Sequence, residues 1–314
     1  MQMKKTIQKN TAKKSFPVRA RSQWQLMLMS IPFAVMCITF SYVPLWGWSM
    51  AFQNYKPGKS FAEQEWVGLQ QFVNLFTSGD FGRVMRNTLA MSILNLVLGF
   101  TTAIVLALLI NEVKNRFFKR TVQTISYLPH FLSWVIAAGI ISNMLAYDGI
   151  INEVLMSLHL IKEPILWLQE GSKFWGIIAA SNIWKEVGWN TIIYLGAMTS
   201  IDPTLYEAIS VDGGGRWHKI RYITLPGIRA TAVILLIMSV GHILEAGFEQ
   251  QFLLQKGPTM LWAETIDLYV LKWGIQQGNY SLATAAGIFK GVISMILLFS
   301  VNKIAKNMDQ ERLF

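Results

Sequence analysis

The chain has 314 residues, 53% of them hydrophobic and only 15% charged. A soluble domain carries about 25% charged residues, so this composition excludes a disordered protein, a typical water-soluble enzyme and a secreted disulfide scaffold. The formal charge of +10, from 28 Lys and Arg against 18 Asp and Glu, suits either a nucleic-acid binder or the loops of a membrane protein. The long apolar runs decide for the membrane and against nucleic acid.

Six segments approach the roughly 20 apolar residues that a bilayer crossing needs. They are 24–52, 88–110, 121–146, 174–200, 228–254 and 281–301. The second and third contain no Asp, Glu, Lys or Arg. Residues 1–23 form a basic tail, 24–302 a six-helix transmembrane domain, and 303–314 a second tail. Segments 51–85 and 147–173 hold too many aromatics for free loops and read as amphipathic pieces on the membrane surface. The first apolar run is longer than a signal-peptide core and has no A-x-A site. Cys37 is the single cysteine, so neither an internal disulfide nor a cysteine-based metal site can form.

Six spans put both tails on one side. The tails and the loops after spans two and four carry seventeen basic residues, against eight on the opposite side. That excess places both termini in the cytoplasm. The basic amino tail would also meet anionic membrane lipid.

The loop between spans four and five, residues 202–226, has its own grammar. Asp202 reads as a helix N-cap with Pro203 at the first helical position. Leu205, Ala208 and Ile209 fall at helical spacing, and Asp212 with three glycines ends that helix. Leu225-Pro226 opens the next span. Within it Glu207-Ala208-Ile209 is followed by three residues and Gly213, then nine residues and Ile223-Thr224-Leu225-Pro226.

This spacing resembles the E-A-A…G…I-x-L-P loop of the membrane subunits of bacterial type I ABC importers. Ile209 stands where that pattern has a second alanine. Shorter matches in family order, among them Gly68-Leu69-Gln70-Gln71-Phe72, Tyr127-Leu128-Pro129-His130-Phe131 and Tyr280-Ser281-Leu282-Ala283, are similar to the multiple-sugar permeases. The nearest branch handles complex, polysaccharide-derived oligosaccharides, with pectin fragments as the first expectation. The resemblance implies an all-α integral membrane protein working beside a second, homologous permease. It also implies two copies of an ATPase that hold ATP and magnesium, and an extracellular lipoprotein or periplasmic binding protein that delivers sugar. Glu207, Ala208, Ile209, Asp212, Gly213, Leu225 and Pro226 would then couple the pore to the ATPase.

The chain itself has no phosphate-binding loop. Gly58-Lys59-Ser60 imitates its end, but the pattern needs glycine at 53, where Gln53 stands. The histidines show no zinc spacing, and no G-x-S-x-G elbow occurs. No catalytic residue, metal or cofactor is expected on this chain.

Charges inside spans cost about 2.5–3.5 kcal/mol each at the bilayer centre, so each should face a cavity or a partner. Lys185, Glu186 and Lys290 are such charges, as are Glu245 and Glu249, with His242 beside them. The spacing predicts one helix face for His242, Glu245 and Glu249 and another for Asn182, Glu186 and Asn190. Two readings stand. In one these groups line a translocation path, with Trp184, Trp189 and Phe248 offering flat faces to sugar rings. In the other they form an interspan network, such as Glu186 with Lys290, or meet the second permease. A proton-coupled carrier and a peptide or amino-acid importer subunit are the alternatives in function.

Overall fold

The computed structural model describes residues 24–307. The basic tail 1–23 and residues 308–314 of the second tail lie outside the described residues. The chain divides between Met50 and Ala51 into two units.

In the first unit, α1 (Trp24–Cys37) runs on through a π turn, Ile38–Tyr42, into a 3-10 segment, Val43–Phe52. No residue of α1 is buried. A helix this apolar, with only Gln25 and Ser30 polar and no buried residue, needs lipid or another polypeptide around it.

The second unit begins with a two-residue hairpin, β1 (Gln53–Asn54) against β2 (Glu65–Trp66), antiparallel with Gln53 opposite Trp66. The amphipathic α2 (Gln70–Thr77) buries Gln71 and Leu75. Then α3 (Phe81–Glu112) runs for 32 residues, about 48 Å at 1.5 Å per residue. Its buried positions include Val84, Asn87, Met91, Ala103, Ala107 and Ile110, a stripe at helical spacing. It packs along α7 (Gly171–Thr199) in the most extensive helix pair of the unit. Ala103 and Ala107 let the backbones approach, and Thr191 Oγ1 donates across to the Ala103 carbonyl at 3.2 Å.

Between these two lie α4 (Arg116–Tyr127), a 3-10 turn over Leu128–Phe131, α5 (Trp134–Met144) and α6 (Ile150–Ser157). Segment 121–146 is therefore not one straight span. Its halves meet at 108°, because Pro129 is buried at the start of the turn and the Ser133 side chain caps a new helix.

After α7 come α8 (Pro203–Val211) and α9 (Arg216–Lys219), which continues through a π turn to Gly227. α10 (Arg229–Gly241) follows, bent by 56° from that stretch. The expected fifth span, 228–254, is also broken. α10 stops at Gly241, and α11 (Glu249–Leu254) starts only after a non-helical stretch. Gln250 and Gln251 of α11 are buried. Gln250 Nε2 donates to the Ile178 carbonyl and to Ser181 Oγ, both at 2.7 Å, while Gln251 Nε2 donates to the Ala246 carbonyl. The Gln250 bonds hold the broken segment against α7, and the Gln251 bond closes it on itself.

Short helices α12 (Met260–Ala263) and α13 (Ile266–Val270), with a π turn over Leu271–Gln276, lead to α14 (Tyr280–Asn307). By length and composition α3, α14 and the helical stretch Trp24–Phe52 can each cross a bilayer, and the two bent pairs raise the number to five. α7, with 29 residues, is long enough for a sixth crossing but carries Lys185 and Glu186. One core cluster joins α3, α5, α7 and α11 through Met91, Ile141, Phe174, Ile178 and Leu254. A second joins α2, α3, α13 and α14 through Leu75, Val84, Ile266, Tyr269 and Leu282.

Segments 51–85 and 147–173 do carry short helices, α2 and α6. The hairpin, α12 and α13 were not anticipated. The hairpin is too short for its pattern to be read; α12 depends on contacts with α7 and α3, and α13 on contacts with α14 and α3.

Candidate functional site

Two places in the second unit gather the polar residues that the sequence singles out. The first is a cavity of about 280 Å³ between α3, α7 and the end of α10. Glu186, Asn190 and Asn182 reach it from α7, and His242 and Glu245 from the break after α10. The sequence reading missed the third wall, where α3 contributes Ser92 and Asn95. An asparagine inside an otherwise apolar span was the signal available, since such a residue needs a partner. Ser92 Oγ and Asn95 Oδ1 are buried without a hydrogen-bond partner in the protein.

Glu186 is held from behind. Its Oε2 accepts from His130 Nδ1 at 2.7 Å, and its Oε1 from Lys185 Nζ at 3.1 Å. Lys185 is 5% exposed and also donates to the His130 carbonyl at 3.0 Å. Its ammonium lies 5.3 Å from the centre of the Trp134 ring. Trp189 stacks on His130, rings 4.4 Å apart and 5° from parallel. The turn at Leu128–Phe131, itself a product of Pro129, brings His130 to α7. The close crossing of α4 on α7 is possible because residue 188 is glycine. A Cβ there would stand 2.0 Å from the Ser126 carbonyl oxygen.

The other expectations divide. Lys290 does not pair with Glu186. Its Nζ binds Asp267 Oδ1 at 2.6 Å, because the chain between α13 and α14 folds back and sets those two side by side. His242, Glu245 and Glu249 do not share a helix face, since the helix ends at Gly241 and Glu249 opens α11. The i, i+3, i+7 argument fails once Gly247 adopts a φ of +93°. Phe248 stacks on Phe252 at 5.7 Å, and Trp184 lines a separate, apolar groove with Ile141, Ile177 and Trp167. His242 Nδ1 donates to the Met238 carbonyl at 2.9 Å.

The second place is the 202–226 segment. The Asp202 side chain accepts from the Thr204 backbone N–H at 2.9 Å, and Pro203 occupies the first turn of α8. That hydrogen bond holds the Asp202 carboxyl below its ordinary pKa. Asp212 closes α8, and Gly213 follows at φ +79°, a conformation natural to glycine. Glu207, Ala208, Asp212, Gly213, Leu225 and Pro226 are exposed. Ile209 is half-buried and packs over Gly214. A Cβ on Gly214 would meet Ile209 Cγ1 at 2.8 Å, so the larger side chain is accommodated within the turn. Tyr206 Oη and Thr224 Oγ1 share a hydrogen bond at 3.0 Å, which ties α8 to the stretch entering α10.

A polar chamber among apolar helices, joined to an exposed helix–glycine–helix unit that continues directly into one wall of the chamber, defines the membrane subunit of a transporter. The chain belongs to the family of binding-protein-dependent transport system inner membrane components, whose profile matches residues 95–312. It is therefore a protein of the bacterial inner membrane and a permease component, not an ATPase. It is 43% identical over 295 residues to Protein LplB of Bacillus subtilis (strain 168), covering 94% of this chain and 92% of that one. It is 41% identical over 309 residues to the polygalacturonan/rhamnogalacturonan transport system permease protein YteP of the same organism, covering 98% and 96%. Among solved structures it is similar to a chain of a bacterial alginate ABC transporter in complex with an alginate pentasaccharide-bound periplasmic protein. The TM-score is 0.87 with 38% identity, covering 95% of this chain and 99% of that one.

Proposed function

We propose that this chain is one permease subunit of an ATP-driven importer of polysaccharide-derived oligosaccharides, forming half of the pore beside a second, homologous permease. The observation that carries this reading is full-length similarity to a sugar permease and to the alginate transporter chain. The chamber fits the role. Amides, hydroxyls and carboxylates line it, the groups that hydrogen-bond a polyol.

Six spans with both tails in the cytoplasm place α8 and α9 on the cytoplasmic side, where a pair of ATPases holding ATP and magnesium would dock. Glu207, Ala208, Asp212 and Gly213 are exposed for that contact. Movement of α8 passes through the Tyr206–Thr224 bond and the continuous stretch 216–227 to α10 as a rigid-body shift. α10 carries Ser239 at the chamber wall. An external binding protein delivers the cargo. A binding-protein-dependent family argues against the proton-coupled carrier, and the sugar relatives against the peptide importer.

Affinity purification from native membranes, with mass spectrometry and an ATPase assay, tests the proposal. Co-elution of a second permease and a nucleotide-binding subunit is expected, with ATPase activity lost when Glu207→Ala and Gly213→Ala are combined. Recovery of this chain alone, without ATPase activity, would overturn it.

A further inference from the structure

The side of α4 that faces away from α7 joins a basic cluster to an apolar groove. Ser126 meets α7 at Gly188. About half a turn round the helix, Phe117, Ile125 and Leu128 are exposed. Phe117, Arg120, Thr121, Thr124 and Ile125 line a groove of about 270 Å³ along that side. They recur every three or four residues, so the groove follows the helix axis. Thr121 Oγ1 donates to the Phe117 carbonyl at 3.0 Å, so its hydroxyl is spent within the helix.

The groove begins among cations. Lys114, Arg116, Lys119 and Arg120 fall within seven residues. Lys119 is half-buried and the other three are exposed. None of the four forms an ion pair among the described residues. The carboxylate nearest in sequence, Glu112, lies 3.8 Å from Arg216 instead. The first amides of α4 are already satisfied, since Asn115 Oδ1 accepts from the Phe117 and Phe118 N–H groups at 2.9 and 3.1 Å. The pull on an anion therefore comes from the side chains.

Their depth follows from the sequence. The charge-free run starts at Thr121, so Arg116–Arg120 lie where water gives way to hydrocarbon, and Ile125 lies about 7.5 Å further in than Arg120. A soluble anion would use the cations and leave the groove empty. An apolar helix of another chain would fill the groove and leave the cations uncompensated. A phospholipid with a net negative headgroup answers both, its phosphate among the guanidinium and ammonium groups and an acyl chain along Thr124, Ile125 and Leu128.

We infer that α4 carries a binding site for an anionic phospholipid, with Arg116 and Arg120 as its headgroup ligands. Such a lipid braces the side of α4 opposite its crossing with α7. This inference rests on the membrane location of the family alone, and on neither the cargo nor the sidedness proposed above.

The test uses the assembled complex in mixed micelles of mild detergent holding equal amounts of phosphatidylglycerol and phosphatidylcholine. Both lipids have the same acyl chains and carry a diazirine in mid-chain. After irradiation, the labelled peptides are located by mass spectrometry. Label should fall on Thr124, Ile125 and Leu128, with phosphatidylglycerol favoured about tenfold or more. Arg120→Gln should lower that preference about fivefold, the scale of one cation beside an anionic headgroup, and Arg116→Gln with Arg120→Gln should abolish it. Both residues are exposed and glutamine is a good helix former, so these variants keep the fold. Replacing Lys4, Lys5 and Lys9 of the amino tail by glutamine should leave the preference at α4 unchanged. Equal labelling by the two lipids would overturn the inference, as would a preference that the arginine variants leave intact or that the tail variant removes. So would shielding of 117–128 from both lipids by a co-purified chain. ATPase activity and sugar uptake are not read in this assay, so its failure leaves the importer reading standing.

Discussion

Gly188→Ala should damage the molecule far more than its single methyl suggests. The added Cβ would stand 2.0 Å from the Ser126 carbonyl oxygen, 2.4 Å from its carbon and 2.9 Å from the Tyr127 nitrogen. All three are backbone atoms, so no rotamer can relieve the contact. Real Cβ contacts essentially never fall under 3.0 Å, so α4 must retreat from α7 by about 1 Å. Overpacking costs about 1–3 kcal/mol, and a backbone neighbour puts this site near 3. The damage is also local to function. Glu186 and Trp189 flank residue 188 and grip His130, which lies just beyond the end of α4, so separating the helices loosens the chamber wall. The assay is the fraction of complex surviving a heating series in mild detergent, followed by size exclusion, together with sugar uptake at 25 °C. Gly176→Ala and Gly196→Ala on the same helix are the controls, since a Cβ at either position meets nothing within 4 Å. They should be neutral or gain about 0.5–1 kcal/mol from helix propensity. Survival of Gly188→Ala equal to that of Gly196→Ala would refute the close α4–α7 crossing.

Three further outcomes follow from other contacts. Lys185→Ala removes one partner of a buried ion pair and leaves Glu186 with His130 alone; about 3 kcal/mol of stability should go, read from the same heating series, and Lys185→Ala with Glu186→Gln should recover part of it. Asn87 is fully buried, and its Nδ2 donates to the Leu261 and Glu264 carbonyls at 2.8 and 3.1 Å. Asn87→Ala should cost about 2–3 kcal/mol by orphaning them, and proteolysis should then open the 255–265 segment first. Asp202→Ala should fray the start of α8 and weaken sugar-stimulated ATPase activity, whereas Asp202→Asn keeps a capping oxygen and most of the activity. The Asp202 carboxyl is lowered in the folded state, so its contribution is present above the ordinary aspartate pKa and fades as pH falls through the folded value. Hydrogen exchange at the Thr204 amide should rise over that acid range in wild type, relative to the same amide in Asp202→Asn.

Local chemistry was legible. The apolar runs marked the helical stretch Trp24–Phe52 and α7 within three residues at each end, and the apolar middles of α3 and α14, whose polar ends run on by seven and six residues. The N-cap, the first-turn proline and the glycine break of the 202–226 segment were legible because each acts within four positions of itself, whereas Leu225-Pro226 closes the stretch before the 56° bend instead of opening α10. Glu186, Asn190, His242 and Glu245 were recognisable as chamber residues, since ionisable and amide groups in apolar runs must find polar company.

What periodicity could not supply was the breaks and the partners. The stretch 242–248 has helical-looking spacing, but Gln250 and Gln251 bond to groups on α7 and to Ala246 and pull the chain out of helix. Lys290 met Asp267, 23 positions away, instead of Glu186, and Glu186 met His130, 56 positions away. By itself, then, the sequence determined which segments are long and apolar, which loop is exposed, and the family. Only the tertiary structure decided which charges cancel and which remain open to the chamber. Hydrophobicity and capping are sums over neighbours along the chain, whereas a buried hydrogen bond depends on which helices cross, and that is set by packing across the whole unit.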